Sequence, residues 1–163
     1  MRERIRLDTA SIDGYTKDGV GVWLGKIEKE HPLNIKTIDK INPLADYVFD
    51  FEVIDWQIKV DFMVMYSFIR TTHNPMRALA KALRTIKTGG YLIILDTVEV
   101  DGARHYFNFP EMEGMLNLYE DYTFIEARGI TPDKKHYFYV CKKKDEVAEH
   151  GAHEEEVQSV QAE

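Results

Sequence analysis

Asp8, Ser11, Asp39 and Asp50 each stand at or near the end of a short segment that reads as a strand. A carboxylate or hydroxyl in that place can accept hydrogen bonds from a ligand, or it can start the turn by which the chain leaves the sheet. Tyr66 and Ser67 follow the apolar run "VDFMVM" (60–65), and His73 comes just before a helix cap. An imidazole there could act as a general base or simply face solvent. His150 and His153 form a pair, but their acidic surroundings give no fixed geometry for a metal, and no metal site is expected. The motifs of several other chemistries are absent: there is no GxGxxG, P-loop, HExxH or GxSxG.

These residues need a sheet to hold them, and the chain supplies alternating strand and helix signals. "VDFMVM" and "YLIILD" (91–96) are continuous apolar runs, as expected of strands buried on both faces. Between them Asn74 and Pro75 make a helix start, and Leu79, Leu83 and Ile86 with Ala80 and Ala82 give a stripe for one wall of a sheet. Gly89 and Gly90 predict a left-handed exit from that helix. Strand, helix and strand in this order mean a parallel crossover. Upstream, "RIRLDTAS" (4–11) is predicted as the first strand and "DGVGVWLGKIEKEHP" (18–32) as a helix weakened by three glycines. "NIKTID" (34–39) and "ADYVFDF" (45–51) are predicted strands. Downstream, "PEMEGMLNLYED" (110–121) predicts a helix, and residues 122–143 a hairpin around "ITPDK". "KKHYFYV" interleaves bases with aromatics, but its period of two predicts an edge strand protected by lysine. The fold class expected is α/β, a Rossmann-like doubly wound, mostly parallel sheet with a C-terminal antiparallel hairpin.

Composition bounds the partners. The 163 residues carry a formal charge of -7, but residues 145–163 hold seven acidic side chains and no lysine or arginine. The remaining 21 basic and 21 acidic residues balance, so no nucleic-acid partner is expected. The tail is expected to be disordered, leaving one domain over residues 1–144. No run is long enough to span a membrane, and "MRERIRLDTAS" shows no signal-peptide core. Cys141, the single cysteine, fits a reducing compartment, and a cytoplasmic location is expected.

The order of pieces resembles the class I S-adenosylmethionine-dependent methyltransferases, in the compact branch with an abbreviated first sheet half. "HNPMRALAKALRTIKTGGYLIIL" is similar to that family's segment after strand four, with Asn74 in place of its aspartate and Thr88 in place of its proline. "KTIDKINPLADYVFDFE" resembles its second and third strands, each followed by an acid, and residues 122–143 its last two strands. The glycine-rich turn after strand one is degenerate: "LDTASIDG" has Thr9, Ala10 and Ser11 where glycines belong. The resemblance implies S-adenosylmethionine as cofactor. Asp39 would hold the ribose hydroxyls, Asp50 the adenine amine with Phe51 beside the base, and Asp8 and Ser11 the methionine part. Tyr66 would also touch the cofactor, and Tyr66, Ser67 and His73 are the candidate catalytic residues. The implied acceptor is a small molecule or a glycan-type substrate. It would be bound by residues 100–117 or by a second subunit of a homodimer. The competing expectation is a catalytically degenerate member acting as a binding or scaffold module, and a third is another nucleotide binder on the same sheet.

Overall fold

The computed structural model describes residues 12–26, 31–55, 57–98, 107–132 and 134–144. The predicted strand at 4–11, with Asp8 and Ser11, and the acidic tail lie outside them. A four-residue helix α1 (Asp13–Thr16) leads into β1 (Gly21–Gly25), followed by β2 (Ile35–Asp39), β3 (Tyr47–Val48) and β4 (Val60–Tyr66). A 3-10 turn (Ile69–Thr71) precedes α2 (Pro75–Thr85) and β5 (Ile86–Thr97); α3 (Phe109–Asn117), β6 (Thr123–Ile130) and β7 (His136–Lys143) complete the order. The strands form one sheet in the order β3-β2-β1-β4-β5-β7-β6. The first five are parallel, and β7 runs antiparallel to both β5 and β6. This is the doubly wound sheet with a terminal hairpin that the sequence predicted.

Several local expectations are corrected. Residues 21–25 were expected within a helix and form β1 instead. Val22, Trp23 and Leu24 are all buried because β1 lies between β2 and β4, with side chains packed on both sheet faces. The third strand shrinks from seven residues to two. The Asp46 carboxylate takes the Thr37 amide at 2.8 Å and its hydroxyl at 3.1 Å, so side-chain bonding replaces ladder pairing until Ile38 meets Tyr47. The hairpin's second strand is not an edge. β7 inserts between β5 and β6, which buries Tyr137, Phe138 and Tyr139 and leaves β6 as the border.

α2 forms as its sequence dictates. Asn74 Oδ1 accepts the Arg77 amide at 3.2 Å and Pro75 occupies the first turn. Leu79 and Leu83 are sealed against the sheet, each contributing about 1.5–3 kcal/mol by burial. The helix ends at Thr85, before the predicted glycine stop. Gly89, with φ of +90°, instead lies within β5, where the register slips between Val60 and Phe62. α3 is fixed by a reciprocal capping box between Asn108 and Glu111. The Tyr137 and Tyr139 hydroxyls donate to the carbonyls of Phe107 and Phe109 at 2.6 and 2.7 Å.

The sheet thus has a core on each face. One gathers α2, α3 and the side chains of Leu24, Ile38, Met63 and Met65; the other gathers Ile12, Trp23, Val64 and Tyr66. Strand order reverses at β1 and β4, and at such a switch point a crevice opens beyond the carboxyl ends of the strands.

Candidate functional site

A cavity of about 370 Å³ occupies that crevice, at the ends of β1, β2 and β4. Its walls include Gly25 at the end of β1 and Lys26 after it, Asp39 at the end of β2, and Phe51, Ser67 and Phe68. The size lies within the range of small-molecule and cofactor sites.

Each wall has a local cause. Gly25 adopts φ of +100°, and a Cβ there would come within 2.0 Å of the Tyr66 carbonyl oxygen. Only glycine lets β1 and β4 converge so closely where they leave the sheet. The next amide, of Lys26, donates to the same Tyr66 carbonyl at 3.0 Å. Ser67 is also left-handed, with φ of +53°, a conformation that costs a residue with a β-carbon about 1–3 kcal/mol. Its amide is held by the Leu95 carbonyl at 2.8 Å. The chain therefore turns abruptly at the end of β4, and Ser67 and Phe68 face the cavity.

Asp39 Oδ2 accepts the amides of Ile41 and Asn42 at 3.1 and 2.7 Å. One oxygen thus shapes the loop after β2, which leaves Oδ1 for a ligand. Asp50 behaves alike: Oδ1 accepts the Glu52 amide at 3.0 Å. Both carboxylates are turn starters and cavity walls at once. Phe51 is buried beside Asp50, its ring edge-on to Phe68 with centroids 6.1 Å apart.

This loop is fastened to α2 from two sides. Glu52 Oε1 accepts the His73 and Asn74 amides at 2.8 and 3.4 Å. The Lys81 ammonium donates to the carbonyls of Phe51 and Ile54 and lies 4.9 Å from the Phe51 ring centroid. Burial lowers the Lys81 pKa, against the opposing pull of Asp55. The sequence offered no signal for this latch, because Lys81 reads there as one more solvated helix position.

The predicted site residues divide accordingly. Asp39, Asp50, Phe51 and Ser67 come together around the cavity. Tyr66 is not among its walls. The ring lies on the other sheet face, edge-on to Trp23 and to His136, with the hydroxyl 3.4 Å from His136 Nε2. His73 is exposed, with Nδ1 3.6 Å from Glu52 Oε2, and lines a separate polar hollow of about 510 Å³ against α2. Gly25 and Lys26 were missed because their segment was read as helix. Near the end of β5, Asp96 is buried, which raises its pKa; Arg70 Nε lies 3.9 Å from its Oδ1 and Arg70 Nη1 donates to Thr97 Oγ1 at 3.3 Å. Among the described residues no cluster of three or more His, Cys, Asp or Glu could hold a metal. No described helix is long and apolar enough to cross a membrane.

No protein-family model and no curated protein matches the chain. Solved structures do. An S-adenosylmethionine-dependent methyltransferase from Thermotoga maritima, described as a possible histamine N-methyltransferase, is similar at 20% identity with a TM-score of 0.62, over 85% of this chain and 90% of that one. The 1,6-didemethyltoxoflavin N1-methyltransferase of Burkholderia thailandensis, solved with S-adenosylhomocysteine, gives 13% identity and 0.61 over 85% and 76%. The N-methyltransferase NodS of Bradyrhizobium japonicum, also with S-adenosylhomocysteine, gives 13% and 0.57 over 87% and 86%. The fold is that of the class I methyltransferases.

Proposed function

We propose that the chain is a methyltransferase that uses S-adenosylmethionine to methylate a small molecule. The observation that carries this reading is the cavity at the switch point, lined by Asp39 at the end of β2 and the left-handed Gly25 at the end of β1. The residues fit the cofactor. Asp39 Oδ1 remains to accept the two ribose hydroxyls, while Oδ2 keeps the loop in place. Phe51 and Phe68 offer apolar walls to the adenine, and Asp50 can accept its amine. Gly25 leaves room at the strand end for the amino-acid part.

The cofactor supplies a methyl group on a sulfonium, and its transfer is an in-line displacement needing no metal. What the protein contributes is position and exclusion of water. Ser67 and Phe68, turned inward at the end of β4, border the place of transfer. Arg70 reaches Asp96 and Thr97 near the carboxyl end of β5, and this polar group suits a polar acceptor. Two of the named neighbours are N-methyltransferases and the third is described as a possible one, and a nitrogen acceptor is the reading we favour by analogy of fold. A glycan-type acceptor has no specific support.

Transfer of labelled methyl from S-adenosylmethionine to a panel of small amines and hydroxylated compounds tests this. Transfer that Asp39→Ala abolishes is the expected result. Binding of S-adenosylhomocysteine without transfer to any acceptor would favour the binding-module reading, and no binding at millimolar concentration would end the proposal.

A further inference from the structure

The two borders of the sheet are finished differently. β6 carries Glu126 and Arg128 among its exposed residues, and its register with β7 slips between Ile125 and Ala127. Charges and irregularities of this kind keep a border strand from accepting another strand. β3, at the opposite border, has neither. Tyr47 and Val48 point to opposite faces and both are exposed, so the sheet is uncovered there on each side. The cause is the shortness of the flanking chain. Residues 40–46 and 49–55 form turns and no helix, too few for the helical crossover that would lie over a parallel strand.

Those turns leave large apolar side chains in the open. Ile41, Leu44 and Val53 are 79, 84 and 74% exposed, and Tyr47, Val48 and Ile54 about half. Together they present roughly 200–450 Å² of apolar surface, taking about 60–120 Å² for one fully exposed side chain. A stable interface takes about 800 Å² from each partner, a little over half of it apolar. The surface around β3 is of that order, and apolar surface gathered on this scale marks an interaction site.

A second copy of the chain suits this border. We propose that two chains pair β3 with β3 across a two-fold axis, which extends the sheet through both subunits. In the antiparallel register centred between Tyr47 and Val48, Tyr47 faces Val48 of the partner subunit, and Asp46 faces Phe49 of the partner subunit. Ala45 then faces Asp50 of the partner subunit, so no carboxylate meets another. Asp46 is turned back on its own chain, with Oδ2 accepting the Thr37 amide and hydroxyl. The border thus offers a partner apolar side chains and backbone groups rather than charge. This pairing stands apart from the ligand of the cavity.

Sedimentation velocity on the full chain at micromolar concentration tests the pairing. The wild type should run at twice the mass of one chain. Tyr47→Lys and Val48→Glu should each run as a monomer, because each sets a charge beside the axis against an apolar side chain. Mixed in equal amounts, the two variants should regain the dimer, since the register brings the two substituted positions together with opposite charge. Recovery on mixing also shows that both variants have folded. Phe124→Lys, on the β6 border, should leave the dimer intact. A monomeric wild type, a dimer that survives either β3 substitution, a mixture that stays monomeric, or loss of the dimer in Phe124→Lys would overturn the proposal.

Discussion

Lys81 shows how a single side chain far from any reacting atom can govern the site. It joins α2 to the loop carrying Asp50 and Phe51, through the Phe51 and Ile54 carbonyls. In Lys81→Met the Ile54 carbonyl, on an exposed residue, regains water, but the Phe51 carbonyl belongs to a buried residue and does not. The loss should be about 1 kcal/mol of stability, at the low end for a stranded buried acceptor. Denaturant midpoints measure that loss. Affinity for S-adenosylhomocysteine should fall as well, although Lys81 is not a wall of the cavity. Unchanged affinity would mean that the loop holds its shape without the latch.

At the level of elements, the β1–β2 connection carries a pH dependence. His31 packs on Trp23, the ring centroids 4.7 Å apart. Burial holds its pKa below the ordinary 6.5, with Asp46 pulling the other way. The native state therefore prefers neutral His31, and the unfolded chain binds the proton more readily. Stability should be complete above about pH 6.5, decline as pH falls toward the lower native value, and level off below it. Asp46 acts in a separate window. Hydrogen bonds from Thr37 lower its pKa, so its contribution is whole above 3.8 and is lost further into acid. Melting temperatures between pH 5 and 7.5 check the first window; His31→Phe should flatten that slope. The elements also show what could be read beforehand. β4, α2 and β5 were legible because full burial writes continuous apolar runs and a capped 3.6-residue stripe. β1 was not, since its two glycines serve close approach to β4, and in a sequence such glycines look like a diluted helix. Asp39 and Asp50 could be found from their places at strand ends. Lys26, Lys81 and the burial of Tyr66 on the far face depend on which strands become neighbours, which no local pattern states.

For the molecule as a whole, the sheet is sealed by two cores, and Cys141 reports on the one that packs against α2 and α3. It sits in β7 with no measurable exposure, and burial pushes its thiol up to about 12. A thiol so placed has almost no thiolate at neutral pH. A disulfide reagent at pH 8 should therefore label the native protein only as fast as the sheet opens, and the labelling rate should rise with urea in step with unfolding. Rapid labelling in the absence of denaturant would show that β7 frays independently of the rest. The two cores matter for function because the cavity has no fold of its own: its walls are the places where β1, β2 and β4 run out. Anything that loosens the sheet near Gly25 and Ser67 should weaken ligand binding before it unfolds the chain.

The most direct measurement is a calorimetric titration of S-adenosylhomocysteine into the wild type and Asp39→Asn. Asparagine keeps an oxygen for the Ile41 and Asn42 amides but presents an NH2 group to the ribose, so it separates the loop from the ligand. The expected result is saturable binding in the wild type, weakened roughly tenfold to a hundredfold in the variant, with the melting temperature unchanged. Equal affinity in the two proteins, or no heat in either, would contradict a sugar diol gripped at the end of β2.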